Sequence, residues 1–431
     1  MKILLSVLLL LPALSFSAPI EIVWWHAMSG TLGERVEEMV KRYHSTQDKV
    51  RIKAVYRGNY TETLNAAIAA YRGKKQPHLV QVFEVGTLTM MNSKVIYPVE
   101  DLMKDYKYDV NWSNFLQPVL SYYKDSQNKL LSMPFNSSTP IMYYNKDMFK
   151  QAGVLKTPKT WGDVYLAAEK LVSNGAKCGL VTGWQSWVLL ENFSAIHNLP
   201  FATKGNGFES MDTELAFANK DVIANIKKLQ KGMKKKYFLY EGRRSDPARN
   251  AFVNGKCGIY FDSSSQLAGV EKIAKFDWAT AALPYKKGTV PSNSIIGGAT
   301  LWTFQGHSKE EYKGVADFLN YIASSANQIW WHRNTGYLPI TKTAYQELKA
   351  RGYYKKNPNQ ETAVLQLLRG SVKENTRGIR LGNFSQIREI INEEFEKIWA
   401  GKVDPEKGLE TAQLRGNRVL KRFYKSAKRR Q

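Results

Sequence analysis

The strongest constraint on the fold is the alternation of strand-type and helix-type segments over residues 20–87. Three segments, IEIVWW, VRIKAVYRGNY and HLVQVFEVGT, are rich in β-branched and aromatic residues and lead into polar or glycine-containing turns. Residues 30–45 and 61–75 lie between them and carry apolar side chains at helical spacing. This alternation predicts an α/β sheet. Ligands bind beyond the carboxyl ends of strands in such sheets, and Tyr60 and Glu84 are at or just past these ends.

A second unit begins near LLSMPFNSSTPIMYYNKDMF, where the turn-forming NSSTP separates two apolar runs. The helix predicted at TWGDVYLAAEKLVSNG has Thr160 as its cap, Asp163 three residues on, and Asn174-Gly175 as its end. FDWATAALP and SIIGGATLWTF are predicted strands, and SQIREIINEEFEKIWAGK is a predicted amphipathic helix. No repeat, low-complexity linker or long heptad run is present in the sequence.

The first seventeen residues have the pattern of a secretory signal peptide, with a lysine, an apolar run and small residues at the end. Cleavage after Ser17 is favoured over cleavage after Ala18, which would leave Pro19 at the new terminus. No later apolar run is long enough to cross a bilayer, so we expect an exported, soluble protein. Export permits a disulfide between Cys178 and Cys257, but sequence leaves open whether they pair or remain buried thiols.

The chain carries a formal net charge of +24. Such a charge suits binding of polyanions or membrane surfaces, or steering of a small anionic ligand. Because the basic residues are spread along the chain, a solvated basic surface is the favoured interpretation, and we expect no nucleic-acid partner. The tail RGNRVLKRFYKSAKRRQ contains no acidic residue. This tail either contacts anionic surfaces or is the frayed end of a helix.

Motifs for the common catalytic chemistries are missing. The six histidines include no pair at zinc-type spacing, and neither a Walker loop nor a G-x-S-x-G elbow occurs. A carboxylate pair for glycoside hydrolysis stays open, because such pairing is spatial. We therefore expect no catalytic residue, no metal and no cofactor.

Several stretches together carry a resemblance to a known family. They are WHAMSGTLG, YRGNYTETLNAAIAAYR, QVFEVGTLTMM, PFNSSTPIMYYNKDMFKQAG, GWQSWVLLENFSA, IIGGATLW, TGYLPITKTAY and RGIRLGNFSQIREIINEE. In this order they resemble the periplasmic glycerol-3-phosphate-binding proteins of ABC importers, which are extracellular solute-binding proteins related to maltose-binding protein. The resemblance extends from about Ile20 to about Tyr424.

The resemblance implies a two-lobed α/β protein of the class II, maltose-binding-protein-like type, with the ligand cleft between the lobes. It implies an N-terminal lobe of residues 18–134 plus 279–333 and a C-terminal lobe of 138–274 plus 338–431. The chain would cross between lobes near 134–138, 274–279 and 333–338. Such proteins act in the periplasm and deliver their ligand to a membrane permease served by a cytoplasmic ATPase, without chemistry.

The resemblance also implies nine ligand-binding residues: Tyr60, Glu84, Ser138, Trp184, Trp187, Ser263, Gly298, Tyr337 and Arg388. Arg388 offers a rigid fork for phosphate oxygens. The serines and tyrosines offer hydroxyl donors, and Gly298 allows a phosphate oxygen to approach the backbone N–H.

The remaining implied contacts concern the glycerol end and the headgroup. Glu84 would accept hydrogen bonds from the glycerol hydroxyls, since a carboxylate beside phosphate is repelled. The spacing of Trp184 and Trp187 predicts that both rings lie on one side of a helix. There they would pack on glycerol carbons or a choline headgroup.

One departure from the family pattern concerns the ligand. The sequence has DSSS where the family has alanine-serine-serine-glycine, which places Asp262 near the expected phosphate end. The leading interpretation is a binding protein for glycerol-3-phosphate, glycerophosphodiesters or both. The alternatives are a binding protein for an oligosaccharide, an exported glycosidase or phosphodiesterase, and a basic surface or nucleic-acid binder.

Overall fold

The structure is a computed structural model that describes residues 18–429. The predicted signal peptide, residues 1–17, lies outside the described residues. The strands are β1 (Ile20–His26), β2 (Val50–Tyr56), β3 (Leu79–Phe83), β4 (Ile96–Tyr97), β5 (Met133–Ser138), β6 (Pro140–Asn145), β7 (Cys178–Thr182), β8 (Phe238–Leu239), β9 (Cys257–Ser263), β10 (Trp278–Ala281) and β11 (Gly297–Phe304).

The helices come in two groups along the chain, before and after residue 200. The first group is α1 (Gly30–His44), α2 (Tyr60–Arg72), α3 (Thr87–Met91), α4 (Val99–Asp105), α5 (Gln117–Leu120), α6 (Lys146–Gln151), α7 (Trp161–Ser173) and α8 (Asn192–Ile196). The second is α9 (Thr203–Gly207), α10 (Lys220–Lys234), α11 (Ser245–Val253), α12 (Leu267–Ile273), α13 (Lys309–Ala323), α14 (Ser325–Thr335), α15 (Lys342–Ala350), α16 (Tyr353–Lys356), α17 (Thr362–Leu367), α18 (Phe384–Trp399) and α19 (Pro405–Lys428).

The strands form two separate sheets. The first has the order β2-β1-β3-β11-β4, with β5 also paired to β11, and the second has the order β10-β6-β9-β7-β8. β1 is parallel to β2 and β3, because α1 and α2 are the crossovers between them. The predicted α/β class is therefore confirmed. The two sheets correspond to the two predicted lobes, with one sheet in each.

The chain passes between the two sheets after β5 and again after β10. Only Thr139 separates β5 of the first sheet from β6 of the second. The next passage lies between β10 and β11, later than the predicted crossing at 274–279. Residues 279–281 pair with β6 and so belong to the second sheet, not to the N-terminal lobe as predicted, because the edge of β6 is open to antiparallel pairing. The other lobe boundaries remain predictions.

Local sequence signals account well for the helices that frame the sheets. Thr160 and Asp163 form the expected capping box at the start of α7. The apolar face of α18 is buried at Ile387, Ile391 and Phe395. Within residues 18–429, no helix combines the length and apolar content needed to cross a membrane.

The two cysteines form a disulfide that joins neighbouring parallel strands. Cys178 in β7 is the direct partner of Cys257 in β9, and their Cα atoms are 4.7 Å apart. The pairing left open by the sequence is thus present in the structure. The bridge closes a long loop and restricts the unfolded chain.

Reducing this bridge should lower the free energy of unfolding by about 2–4 kcal/mol. Urea unfolding of the oxidised protein with and without dithiothreitol measures the difference. The double variant Cys178→Ala/Cys257→Ala is the control, because its unfolding curve should not respond to reductant. Superimposable curves for the oxidised and reduced wild-type protein would contradict this expectation.

Candidate functional site

A cavity of about 610 Å³ lies between the two sheets. Its walls come from the ends of β3 and β9, the starts of α2 and α11, and the first residues of β11. All nine residues predicted to bind ligand line this one cavity: Tyr60, Glu84, Ser138, Trp184, Trp187, Ser263, Gly298, Tyr337 and Arg388. The cavity therefore lies beyond the ends of strands from both sheets, which is the position expected for a ligand in an α/β protein.

The floor of the cavity is an arginine held between two glutamates. Arg388 Nε donates to Glu191 Oε1 at 2.7 Å, and Nη2 lies 2.6 Å from Glu191 Oε2 and 2.7 Å from Glu84 Oε1. All three side chains are buried. Because Glu84 follows β3 and Arg388 belongs to α18, this ion pair connects the two halves of the cleft.

Burial and charge act in opposite directions on the floor. Burial alone would lower the pKa of Arg388, but the charges of Glu191 and Glu84 outweigh it and raise that pKa. Burial raises the pKa of Glu84, and Arg388 partly offsets the effect. With all three groups ionised, the cluster has a formal charge of −1.

This pairing corrects the expected role of Arg388 as a free fork for phosphate. Carboxylates already engage two of the three guanidinium nitrogens, Nε and Nη2. The third nitrogen, Nη1, has no acceptor within the described residues 18–429. A net negative cluster suits a group that donates hydrogen bonds, such as an alcohol, better than a dianion. Sequence reasoning missed Glu191, although it lies in the GWQSWVLLENFSA stretch, because no local spacing links it to Arg388.

A second wall carries hydroxyl groups. Ser138 ends β5, and Ser263 ends β9, where its Oγ lies 2.9 Å from Ser265 Oγ. Tyr60 begins α2, stacks on Phe83 at 5.2 Å, and its hydroxyl accepts a hydrogen bond from Asn136 at 2.9 Å. The Tyr60 hydroxyl also donates to the hydroxyl of Tyr337, so the two phenols form one hydrogen-bonded pair on this wall.

The two tryptophans line the cavity, but not through helical spacing. Trp184 has φ +44° and precedes the helical segment, which starts at Gln185. Trp187 begins a π-helical turn, and a Cβ at Gly297 would overlap its ring. The expected continuous helix is therefore wrong, although both tryptophans do line the same cavity. The left-handed backbone of Trp184 itself sets the direction of its side chain. The missing side chain of Gly297 leaves room for the ring of Trp187.

Asp262 does not line the cavity, although the sequence placed it near the expected phosphate end of the ligand. It is fully buried and accepts hydrogen bonds from Tyr260 Oη at 2.7 Å, from Ser245 Oγ at 3.0 Å and from the backbone N–H of Ser263. Burial raises its pKa to about 7. Its carboxylate therefore lies behind the cavity wall and does not contact the cavity.

Within the described residues, one cluster has the composition of a metal site, and it lies outside the cavity. It consists of His78, His307 and Glu311. His78 Nδ1 accepts the N–H of Val23 at 3.0 Å, so its proton sits on Nε2, which faces Glu311 at 3.1 Å. A nitrogen that carries a proton has no lone pair for a metal. His307 Nε2 lies 3.1 Å from the carbonyl oxygen of Pro77, so both histidines are engaged by groups of the protein itself.

A ligand-sized cleft between two α/β sheets, with donors and acceptors converging from both sides, defines the class of two-lobed solute-binding proteins. Residues 38–362 match the family model of the bacterial extracellular solute-binding proteins. The chain belongs to this family.

The chain has relatives of closely similar length. The chain is 46% identical over 412 residues to the sn-glycerol-3-phosphate-binding periplasmic protein UgpB of Escherichia coli K12, covering 94% of each chain. The UgpB of Shigella flexneri serotype 5b is equally similar, with 46% identity and the same coverage.

Solved structures with much lower identity share the fold. UgpB from Mycobacterium tuberculosis in complex with glycerophosphocholine matches with a TM-score of 0.77 at 22% identity, covering 94% of this chain and 99% of that one. Maltose-bound MalE3 of T. maritima matches with a TM-score of 0.77 at 14% identity, covering 92% and 98%. The fold alone thus accommodates both phosphorylated and sugar ligands.

Proposed function

We propose that the chain captures sn-glycerol-3-phosphate, glycerophosphodiesters or both in the periplasm and delivers them to the permease of an ABC importer. One observation carries the proposal. A single buried cleft combines a carboxylate–arginine floor, suited to alcohol groups, with a separate wall of hydroxyl and backbone donors. A phosphorylated polyol has both kinds of group at opposite ends. The curated relatives at 46% identity support the same ligand class.

The charge of the floor determines the orientation of the ligand. The hydroxyls of glycerol would donate to Glu84 and accept from Arg388 Nη1. A phosphate placed there would face a net negative cluster, at a cost of about 4 kcal/mol for two unit charges 4 Å apart at an effective dielectric near 20. The phosphate therefore lies against the donor wall, toward Ser138, Ser263 and Gly298.

Positive charge for the phosphate is available at the mouth of the cavity. Arg244 and Arg249 both line it. Arg249 is paired with Asp246 at 2.9 Å, whereas Arg244 forms no ion pair with any residue in the described range 18–429. The excess of basic residues over the whole chain would also raise the rate at which an anionic ligand arrives.

The size of the cavity and the position of Trp184 suit a substituent on the phosphate. Glycerol-3-phosphate alone leaves much of the 610 Å³ unfilled, so a diester headgroup has room. Trp184 is partly exposed on the wall, and its ring can pack against carbon atoms or the cation of a choline group. The proposal involves binding and transfer only, without a chemical step.

Calorimetric titration of the exported chain with sn-glycerol-3-phosphate, glycerophosphocholine, glycerol and maltose tests the proposal. We expect one site per chain for a phosphorylated glycerol, with a Kd in the micromolar range or below, about −8 kcal/mol or better. Glycerol is the matched control, because it presents the hydroxyls without the phosphate and should bind far more weakly. Saturable binding of maltose without binding of either phosphate compound would favour the oligosaccharide alternative and reject the proposal.

A further inference from the structure

A buried chain of hydrogen bonds connects Asp262, behind the cavity wall, to Trp184 on the wall. The indole Nε1–H of Trp184 donates to Ser245 Oγ at 2.7 Å, and Ser245 Oγ donates to Asp262 Oδ1 at 3.0 Å. Ser245 and Asp262 are both buried, at 8% and 0% relative exposure. The single polar atom of the Trp184 ring is therefore held by a hydroxyl whose own proton is directed to a carboxylate.

We propose that Asp262 is a positioning residue which, through Ser245, sets the orientation of the Trp184 ring and so the affinity of the cleft for its ligand. The effect on affinity rests on the proposed function, since it takes Trp184 as a ligand contact. The structural part, a link between the charge of Asp262 and the ring of Trp184, does not depend on any ligand.

The backbone around Trp184 explains why its ring needs such support. Its φ of +44° lies in the left-handed region, which is unfavourable for a tryptophan and persists only where the surroundings hold it. Gly183 precedes it, and a Cβ there would overlap Asp262 Oδ2, so the chain packs directly on the carboxylate. Asp262 thus supports both the strained backbone and the indole N–H.

The ionised form of Asp262 is the one that matches its surroundings. Its two oxygens accept from Ser245, Tyr260 and the N–H of Ser263. Burial raises the pKa of Tyr260 and of Tyr143, so both phenols stay neutral beside it. Arg249 is the cation that acts to lower the pKa of Asp262. A proton added to the carboxylate would displace one of the three donors and loosen the chain to Trp184.

A rise in pH has opposite effects on the contribution of Asp262 to stability and on the ordering of Trp184. This difference distinguishes a positioning role from a purely structural one. The pKa of Asp262 is about 7 in the fold and about 3.9 in an unfolded chain. Between these values the folded state binds more protons, so the contribution of Asp262 to stability falls as pH rises. The carboxylate that orders Ser245 forms only as pH rises through about 7, so the ordering of Trp184 improves over the same range.

The ligand-free protein provides the first test. The difference in tryptophan fluorescence and near-ultraviolet circular dichroism between wild-type protein and Trp184→Phe isolates this ring. We expect the difference to titrate with a midpoint near pH 7 and to lose that transition in Asp262→Asn. The same subtraction within the Ser245→Ala background should also give no transition. A pH-independent difference signal, or one that Asp262→Asn leaves unchanged, would overturn the proposal.

Binding provides the second test, with glycerophosphocholine as the probe because a phosphodiester does not titrate near neutral pH. We expect the wild-type Kd to be about threefold or more higher near pH 6 than near pH 8, and the dependence to vanish in Asp262→Asn. Equal dependence in both proteins would overturn the effect on affinity. A titrating Trp184 signal in a protein that binds no phosphorylated glycerol would support the structural link and contradict the proposed function.

Discussion

Replacing Arg388 by alanine should abolish measurable binding of phosphorylated glycerol and lower the free energy of unfolding by about 3–5 kcal/mol. The variant would leave Glu84 and Glu191 buried together without a cation, in a site where burial already raises the pKa of Glu84. It would also remove the connection between β3 and α18 across the floor of the cleft. Calorimetric titration and urea unfolding of the same preparation measure the two effects.

The matched control is Arg243→Ala. Arg243 also contacts two glutamates, Glu396 and Glu389, but at the protein surface, where its side chain is 34% exposed and does not line the cavity. Exposed pairs of this kind contribute about 0–1 kcal/mol, so we expect normal ligand binding and only a small change in stability. If Arg388→Ala bound ligand as tightly as the wild-type protein, the floor cluster would have no part in recognition.

Replacing Gly298 by alanine should lower the free energy of unfolding by more than about 2 kcal/mol and strongly weaken binding. Gly298 has φ +95°, and a Cβ there would overlap the carbonyl oxygen of Asn136 on the paired strand β5. The pairing of β11 with β5 would have to shift, and this moves the cavity wall at Ser138. Thermal unfolding and ligand titration measure the outcome.

Gly288→Ala separates crowding from backbone strain. Gly288 has a similar φ of +81°, but nothing lies within 4 Å of an added Cβ. We expect a smaller loss of stability, on the order of 1 kcal/mol, and unchanged binding. Equal losses in the two variants would show that close approach of the strands at Gly298 is not important.

Much of the scaffold was accessible from the sequence because its signals are local. Helical spacing predicted the buried face of α18, and the capping pattern at Thr160 gave the start of α7. The alternation of element types predicted the first sheet. The convergence of nine side chains in one cavity followed from the family resemblance rather than from any local pattern, because those residues span more than 300 positions along the chain.

The errors concern tertiary contacts and one backbone conformation. Arg388 and Glu191 are far apart in sequence, so nothing local predicts their ion pair. The position of the Trp184 ring depends on the left-handed backbone conformation of Trp184 itself, which helical spacing cannot predict. The direction of Asp262 was accessible, however. It lies next to Ser263 in β9, and neighbouring strand residues point to opposite faces.

The most direct test of the account is a crystal structure of the protein with sn-glycerol-3-phosphate. We predict one ligand in the cleft between the sheets, with its hydroxyls at Glu84 and Arg388 and its phosphate at Ser138, Ser263 and the N–H of Gly298. A phosphate bound directly to Arg388, with the hydroxyls toward the serines, would contradict the orientation derived from the charge of the floor. A ligand bound outside the cleft would contradict the central claim itself.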